Sequence, residues 1–118
     1  MRISQAFAIL LILATQASAG PAVASESNRA RALAAECAES KTLCEEYLLG
    51  VWDAVLIHGE MTHQPLFCAM KGPTGDELLA AFNQWVVQNP DKLELSRAVG
   101  ALLALKHAYP CSGLPNKG

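Results

Sequence analysis

Apolar residues recur at three- and four-residue intervals along most of the chain beyond residue 28, and no segment alternates with period two for more than a few residues. This spacing is that of amphipathic helices, so the pattern predicts an all-α fold. The predicted first helix covers Asn28 to Ala38, where Ala, Arg, Leu and Glu predominate, all of them good helix formers. Turn-forming stretches divide the rest of the chain into three further helices, which gives a small four-helix domain.

The second helix is predicted to start at a capping box, Thr42-Leu43-Cys44-Glu45, in which the Thr hydroxyl and the Glu side chain satisfy free backbone N–H groups. Its apolar face consists of Cys44, Tyr47, Leu48, Val51, Ala54 and Val55. Gly50 lies inside this helix, where glycine costs about 1 kcal/mol relative to alanine. We therefore expect another helix to approach closely at Gly50, and we expect the helix to end near His58-Gly59.

A second capping box, Thr74-Gly75-Asp76-Glu77, predicts the start of the third helix. The apolar faces of the third and fourth helices are Leu78, Phe82, Trp85 and Val86, and then Leu95, Val99, Leu102, Leu103 and Lys106. Asn89-Pro90 is expected to end one helix and begin the next, because Asn caps helices and Pro fits the first helical position. A link this short requires the two helices to run antiparallel. Tyr109-Pro110-Cys111 ends the last helix.

The stretch from Gly59 to Pro73 is the longest without helical periodicity, and long loops in compact domains are often functional. We predict that Met61, Thr62, His63 and Leu66 bind a partner. Their mixture of apolar and polar side chains suits a contact with an apolar centre and a polar rim. Trp52 lies off the predicted apolar face. It is therefore either an exposed anchor for the partner or buried in a groove between helices.

The N-terminus has the three parts of a secretory signal peptide: a basic start at Met1-Arg2, an apolar run from Ala6 to Ala14, and small residues at Ala17-Ser18-Ala19. Cleavage is predicted after Ala19 or Ala24. The apolar run is shorter than the roughly 20 residues that a membrane span needs, so no membrane anchor is predicted. The predicted organisation is a signal peptide at 1–19, a flexible lead at 20–27, one helical domain at 28–111 and a flexible tail at 112–118.

Four cysteines remain after signal peptide removal, and an even number in a small exported domain predicts two disulfides and no free thiol. The antiparallel arrangement places the end of the fourth helix near the start of the third, which favours a Cys68–Cys111 bond. Cys37 and Cys44 flank one tight turn and would form the other bond. The long loop could instead carry Cys68 to Cys44.

Charge and motifs point away from several function classes. The formal net charge is −2 and no Lys/Arg cluster occurs, so nucleic acid and anionic membranes are poor candidate partners. His58, Glu60 and His63 lie close together, but their spacing matches no known zinc pattern, and no metal or cofactor is predicted. Cys44 lies near a helix N-terminus, which favours a reactive thiolate. Its use as a nucleophile would leave an odd number of cysteines, so no catalytic residue and no enzyme activity are predicted.

The motifs read, in order, Cys44-x-x-Tyr47-x-x-Gly50-x-x-Asp53-Ala54, Phe67-Cys68, Pro73-Thr74, Asn89-Pro90 and Tyr109-Pro110-Cys111. Over Cys37 to Cys111, this combination resembles the Rap/Tai family of immunity proteins linked to type VI secretion. Ala69-Met70-Lys71 departs from the Pro-containing stretch expected after the Phe-Cys pair. The resemblance implies a periplasmic helical protein, often a homodimer. Such a protein binds a secreted peptidoglycan amidase toxin and blocks the active-site cleft of that enzyme.

Residues 42–48 are also similar to the periplasmic acid-stress chaperones, which are small, helical and disulfide-bonded. This gives an alternative function, either an acid-stress chaperone or an envelope binding protein with no matched toxin. An immunity protein should bind one partner tightly at neutral pH. A chaperone should suppress the aggregation of many clients, and only in acid.

Overall fold

The structure, a computed structural model, describes residues 25–111. Its elements are α1 (Ala30–Glu39), α2 (Lys41–Thr62), α3 (Gly75–Gln88) and α4 (Arg97–Ala108), with single 3-10 turns at Glu26–Asn28 and Pro90–Lys92. The predicted all-α, four-helix fold is confirmed for this part of the chain. The predicted signal peptide at 1–19, most of the predicted lead and the predicted tail at 112–118 lie outside the described residues.

Serine and threonine side chains cap the starts of α2 and α3. Ser40 is the single residue between α1 and α2, and its Oγ accepts a hydrogen bond from the Leu43 N–H at 3.4 Å. The predicted capping box at Thr42 is therefore wrong, because Ser40 already supplies the cap two residues earlier. Thr74 caps α3 as predicted, and its Oγ1 accepts from the Glu77 N–H at 3.2 Å.

The core lies where the four helices meet, and its largest fully buried side chains include Phe67, Phe82, Leu33, Leu48, Leu78 and Leu105. On α2 the buried positions are Cys44, Leu48 and Trp52, each four residues apart. Cys44 and Leu48 belong to the predicted face, and its members Tyr47, Val51 and Val55 are partly buried against the core. Trp52 is only 5% exposed, so of its two predicted environments the buried groove is the observed one.

Gly100 lies at a close helix contact, whereas Gly50 does not. A Cβ added to Gly100 would lie 2.7 Å from the Ala30 Cβ and 3.5 Å from the Trp85 ring, whereas nothing lies within 4 Å of one added to Gly50. The expected close approach at Gly50 is therefore wrong. The side of α4 that faces the core carries Gly100, Ala101, Ala104 and Leu105. Because its residues are mostly small, α4 can approach α1 and the Trp85 ring closely.

The connection between α3 and α4 spans residues 89–96, so the predicted two-residue link is wrong. Pro90 starts a 3-10 turn, and α4 begins only after Ser96, whose Oγ accepts from the Val99 N–H at 3.3 Å. The connection instead caps α1. The Leu95 and Leu93 carbonyls accept from the Ala30 and Arg31 N–H groups at 2.8 and 2.9 Å. These N–H groups lie in the first turn of α1, where a helix has no internal acceptors.

Both preferred disulfides are present: Cys37–Cys44, here called the turn disulfide, and Cys68–Cys111, here called the loop disulfide. No cysteine is free, which confirms the expectation of no free thiol. The turn disulfide spans the junction between α1 and α2. The loop disulfide joins the segment before α3 to the residues that follow α4, as the argument from antiparallel helices required.

Candidate functional site

The last turn of α2 and the segment that follows it form one structural unit. His63 adopts a left-handed conformation with φ of 56° and ends the helix. Histidine is among the few residue types enriched in this conformation. The Thr62 Oγ1 donates to the His58 carbonyl at 2.8 Å and accepts from the Gln64 N–H at 3.3 Å. The Thr62 hydroxyl thus joins the last helical turn to the loop.

The loop is held against the helices by a buried anchor of three aromatic rings. Phe67 is 2% exposed, and its ring stacks on Trp52 with centroids 4.4 Å apart. Tyr109 meets Trp52 edge-on at 5.2 Å, and the Tyr109 carbonyl accepts from the Cys68 N–H at 2.8 Å. The loop disulfide forms its covalent bond beside this hydrogen bond. The anchor therefore attaches the loop to α2 through Trp52 and to the end of α4 through Tyr109.

Gly59 allows the loop to fold back onto α2. A Cβ added at Gly59 would lie 3.3 Å from the Pro65 Cα, so a larger residue here would push the loop backbone outward. Between the helix and the returning loop lies a groove of about 340 Å³. It is lined by Val55, Leu56, Gly59, Glu60, His63, Pro65, Leu66 and Phe67. We call it the apolar groove, because Glu60 and His63 supply its only charged or titratable side chains.

Exposed apolar side chains concentrate in the part of the chain that forms this groove and in the residues next to it. Within residues 25–111, nine large hydrophobic side chains are exposed, and five of them lie between residues 56 and 70: Leu56, Ile57, Met61, Leu66 and Met70. Met61 is 78% exposed and Met70 is 89% exposed. Clustered apolar exposure of this kind marks interaction sites in small soluble proteins. This segment is therefore a candidate binding surface.

A comparison with family profiles identifies the protein family. The profile described as Rap1a immunity proteins matches residues 25–111, which include all four helices and both disulfides. The chain belongs to the Rap1a immunity protein family. A search of curated proteins and a search of solved structures each gave no significant match. In this Rap1a family member, no helix within residues 25–111 is both long and apolar enough to cross a membrane.

Four of the five predicted partner-binding residues of this Rap1a protein lie at or beside the apolar groove, and their role in binding stays a prediction. His63 and Leu66 line the groove, and Met61 lies in the adjoining last turn of α2. Thr62 serves as the helix-ending hydrogen-bond partner. Trp52 lies beneath the surface in the aromatic anchor, where it positions Phe67 and presents no face to a partner.

The predicted end of α2 near His58-Gly59 is wrong, since the helix continues to Thr62. Met61 and Thr62 are consequently helical, and the loop is shorter than predicted. The sequence interpretation also missed Leu56, Ile57 and Met70. One signal for the longer helix was available, because Glu60 and Met61 are good helix formers and no proline intervenes before Pro65.

The titratable groups with shifted pKa values lie away from the apolar groove, with one exception at its base. A hydrogen bond to Lys41 lowers the pKa of Asp76, and the Asp76 carboxylate raises the pKa of Lys41. Hydrogen bonds from Arg31 and Arg29 lower the pKa of Glu94. The exception is Tyr109, whose burial in the aromatic anchor raises its pKa.

The sequence suggested two candidate chemical groups, the set of His58, Glu60 and His63 and the Cys44 thiol. His58, Glu60 and His63 belong to no group of three or more potential ligands that could hold a metal, as judged over residues 25–111. The Cys44 sulfur is bonded to Cys37 and is not a thiol.

Proposed function

We propose that this protein is a periplasmic immunity protein that binds a secreted peptidoglycan amidase toxin and blocks its active-site cleft. The observation that carries the proposal is the family match, which extends over the complete four-helix domain. The resemblance noted in the sequence supplies the amidase as the target. The proposed function needs a protein surface that binds another protein and no catalytic group of its own.

The apolar groove and its rim are the proposed contact surface. Ordering a flexible segment on binding costs free energy, so a preorganised surface gives higher affinity than a mobile one. The aromatic anchor and the loop disulfide supply this preorganisation beneath Leu66 and beside Met61. Apolar side chains accompanied by the polar Glu60 and His63 match the apolar centre and polar rim that are usual in a protein interface.

The proposed compartment follows from the cysteines and the N-terminal signal. Structural disulfides persist in oxidising compartments such as the bacterial periplasm, and all four cysteines of this chain are paired. The predicted signal peptide supplies the route of export. A periplasmic inhibitor would meet an amidase toxin in the compartment that contains the toxin's substrate.

The contact surface is tested with the double variant Met61→Ala/Leu66→Ala and a peptidoglycan amidase encoded beside this gene. Both side chains are exposed or nearly so, and neither is part of the helix cap. We expect the variant to lose at least about 2 kcal/mol of binding free energy if the pair forms a hot spot, or roughly 30-fold in Kd. Calorimetry measures binding, and hydrolysis of purified peptidoglycan measures inhibition.

The control is Leu43→Ala/Val87→Ala, which removes two exposed apolar side chains from α2 and α3 outside the groove. This control should inhibit as well as the unmodified protein. Equal loss of inhibition in both double variants, or none in either, would place the interface elsewhere. Failure of the unmodified protein to inhibit the amidase would reject the proposed target.

The acid-chaperone alternative and the homodimer implied by the resemblance are tested separately. Suppression of client aggregation at acidic pH, without tight binding of one partner at neutral pH, would favour the chaperone. Sedimentation equilibrium at the concentrations used for inhibition measures the oligomeric state. A monomer at those concentrations would remove the homodimer from the proposal and leave amidase binding unaffected.

A further inference from the structure

A second cleft lies between α3, α4 and the connection that joins them, and it shares no lining residue with the apolar groove. Its volume is about 440 Å³, and it is lined by Trp85, Gln88, Asn89, Lys92, Leu103, Lys106 and His107. We call it the basic cleft, because two lysines and a histidine line it and none of the lining residues is acidic. Trp85 is 3% exposed, so the indole belongs to the floor.

The cations of the basic cleft differ from most others in the described chain because they form no ion pair. Residues 25–111 contain seven Lys and Arg side chains. Four of these form ion pairs with carboxylates: Arg29, Arg31, Lys41 and Arg97. The three that form none within the described residues are Lys71, Lys92 and Lys106. Two of these three thus line the same cleft.

The residues outside 25–111 contain no Asp or Glu. All eleven Asp and Glu residues lie between Glu26 and Glu94, inside the described range. The protein as a whole carries a formal charge of −2. A cleft lined by lysines that form no ion pair within the described residues is a local reversal of charge on an acidic protein, and it is complementary to a negatively charged partner.

Stabilisation of helix C-termini by positive charge accounts for only part of the basic cleft. Lys106 and His107 lie in the last turn of α4, where positive charge is favourable. Lys92 belongs to the separate 3-10 turn that follows α3. At the end of α3, the Trp85 carbonyl accepts from the Asn89 side-chain amide at 2.9 Å, and the Val86 carbonyl accepts from the Asn89 N–H at 3.4 Å. Two of the last four carbonyls of α3 thus have partners from Asn89, and Lys92 forms no hydrogen bond to them.

We propose that the basic cleft binds an acidic segment of a partner protein, with Asp or Glu carboxylates held by Lys92, Lys106 and His107. Complementary charge across an interface provides specificity and speeds association. The volume is within the range of ligand clefts and accommodates a few side chains. The cationic side chains are exposed at the surface, which suits a peptide segment better than an enclosed small molecule. This second surface does not depend on the proposed amidase binding at the apolar groove.

The probe is a tetraglutamate peptide with blocked ends, titrated into the oxidised protein at low salt and followed by ¹H–¹⁵N NMR. Tetraglutamine of the same length is the neutral control peptide, and inorganic phosphate is the small-anion control. We expect tetraglutamate alone to shift the Trp85 indole and the Leu103 and His107 amides. Added salt should weaken the binding, because the proposed attraction is between exposed charges.

The decisive variants are Lys92→Gln/Lys106→Gln and the control Lys71→Gln, which removes an unpaired lysine outside the cleft. The double variant should weaken tetraglutamate binding at least about ten-fold, whereas Lys71→Gln should leave it within about two-fold. Equal shifts with tetraglutamine, equal loss in the Lys71→Gln control, or no shift with tetraglutamate would overturn the proposal. Tighter binding of phosphate than of tetraglutamate would overturn it in favour of a small-anion site. Each of these results leaves the amidase inhibition assay unaffected.

Discussion

The same substitution, glycine to alanine, should change stability in opposite directions at Gly50 and Gly100. Both residues lie inside α-helices, where alanine is favoured over glycine by about 0.8–1 kcal/mol. At Gly50 nothing lies within 4 Å of the added Cβ, so we expect this gain in full. At Gly100 the added Cβ would lie 2.7 Å from the Ala30 Cβ, well inside the usual carbon–carbon separation of about 3.5–4.0 Å.

The cost at Gly100 follows from the lack of any flexible neighbour. Ala30 has no rotatable side chain, so α1 and α4 must move apart, although the N-terminus of α1 is hydrogen-bonded to the α3–α4 connection. An extra methyl group in a well-packed core costs roughly 1–3 kcal/mol. After subtraction of the helix-propensity gain, Gly100→Ala should lose about 0–2 kcal/mol. The two variants should then differ by roughly 1–3 kcal/mol.

Urea unfolding of the oxidised protein, followed by far-UV circular dichroism, measures both changes. The double variant Ala30→Gly/Gly100→Ala moves the methyl group from α1 to α4 and removes the clash. A double-mutant cycle that includes Ala30→Gly alone should show a favourable coupling energy above about 0.5 kcal/mol. Equal stabilisation by Gly50→Ala and Gly100→Ala, or a coupling energy of zero, would refute the reasoning.

Two further predictions concern the disulfides and pH. The loop and turn disulfides join residues 43 and 7 positions apart, so their removal by Cys→Ala pairs should cost roughly 4 and 2 kcal/mol on the chain-entropy model. Equal losses in urea unfolding would contradict that model here. Asp76 and Glu94 have lowered pKa values in the folded state. Their carboxylates therefore stabilise the fold fully at a pH above the unfolded-state pKa, and this stabilisation is lost as the pH falls through the folded-state pKa. The Tm should therefore decrease when the pH is lowered below about 4, and the decrease should be smaller in Glu94→Gln. The same dependence of Tm on pH in Glu94→Gln and in the unmodified protein would contradict this prediction.

Local signals predicted much of the fold because they act within a few residues. Thr74 caps α3 in the structure as its sequence context indicates, and the even cysteine count predicted the two disulfides that the structure contains. The Asn89-Pro90 signal was real but ambiguous, since the same pair can start a 3-10 turn or a longer helix. The Leu93 and Leu95 carbonyls, which cap α1 across the molecule, resolve that ambiguity, and no local pattern contains this information.

The packing faces were harder to predict because size, as well as hydrophobicity, decides which side of a helix is buried. The largest apolar residues of α4 suggested a face at Val99 and Leu102, yet the closest contact uses Gly100. At the candidate site, the sequence placed Leu66 and His63 on a binding loop, and both residues line the groove in the structure. The burial of Trp52 against Phe67 depends on a loop that returns to α2, so the periodicity of α2 alone could not establish it.

The loop disulfide also makes part of this polypeptide a covalent ring. The ring begins at Cys68, passes through α3 and α4, and closes at Cys111. A protease that cuts once inside the ring, for example in the exposed connection near Asp91, produces two chains that remain bonded to each other. A cut in the loop before Cys68 instead separates α1 and α2 covalently from the ring. The basic cleft therefore lies within the ring, where the two products of a single cut stay bonded, whereas most of the residues that line the apolar groove precede the ring.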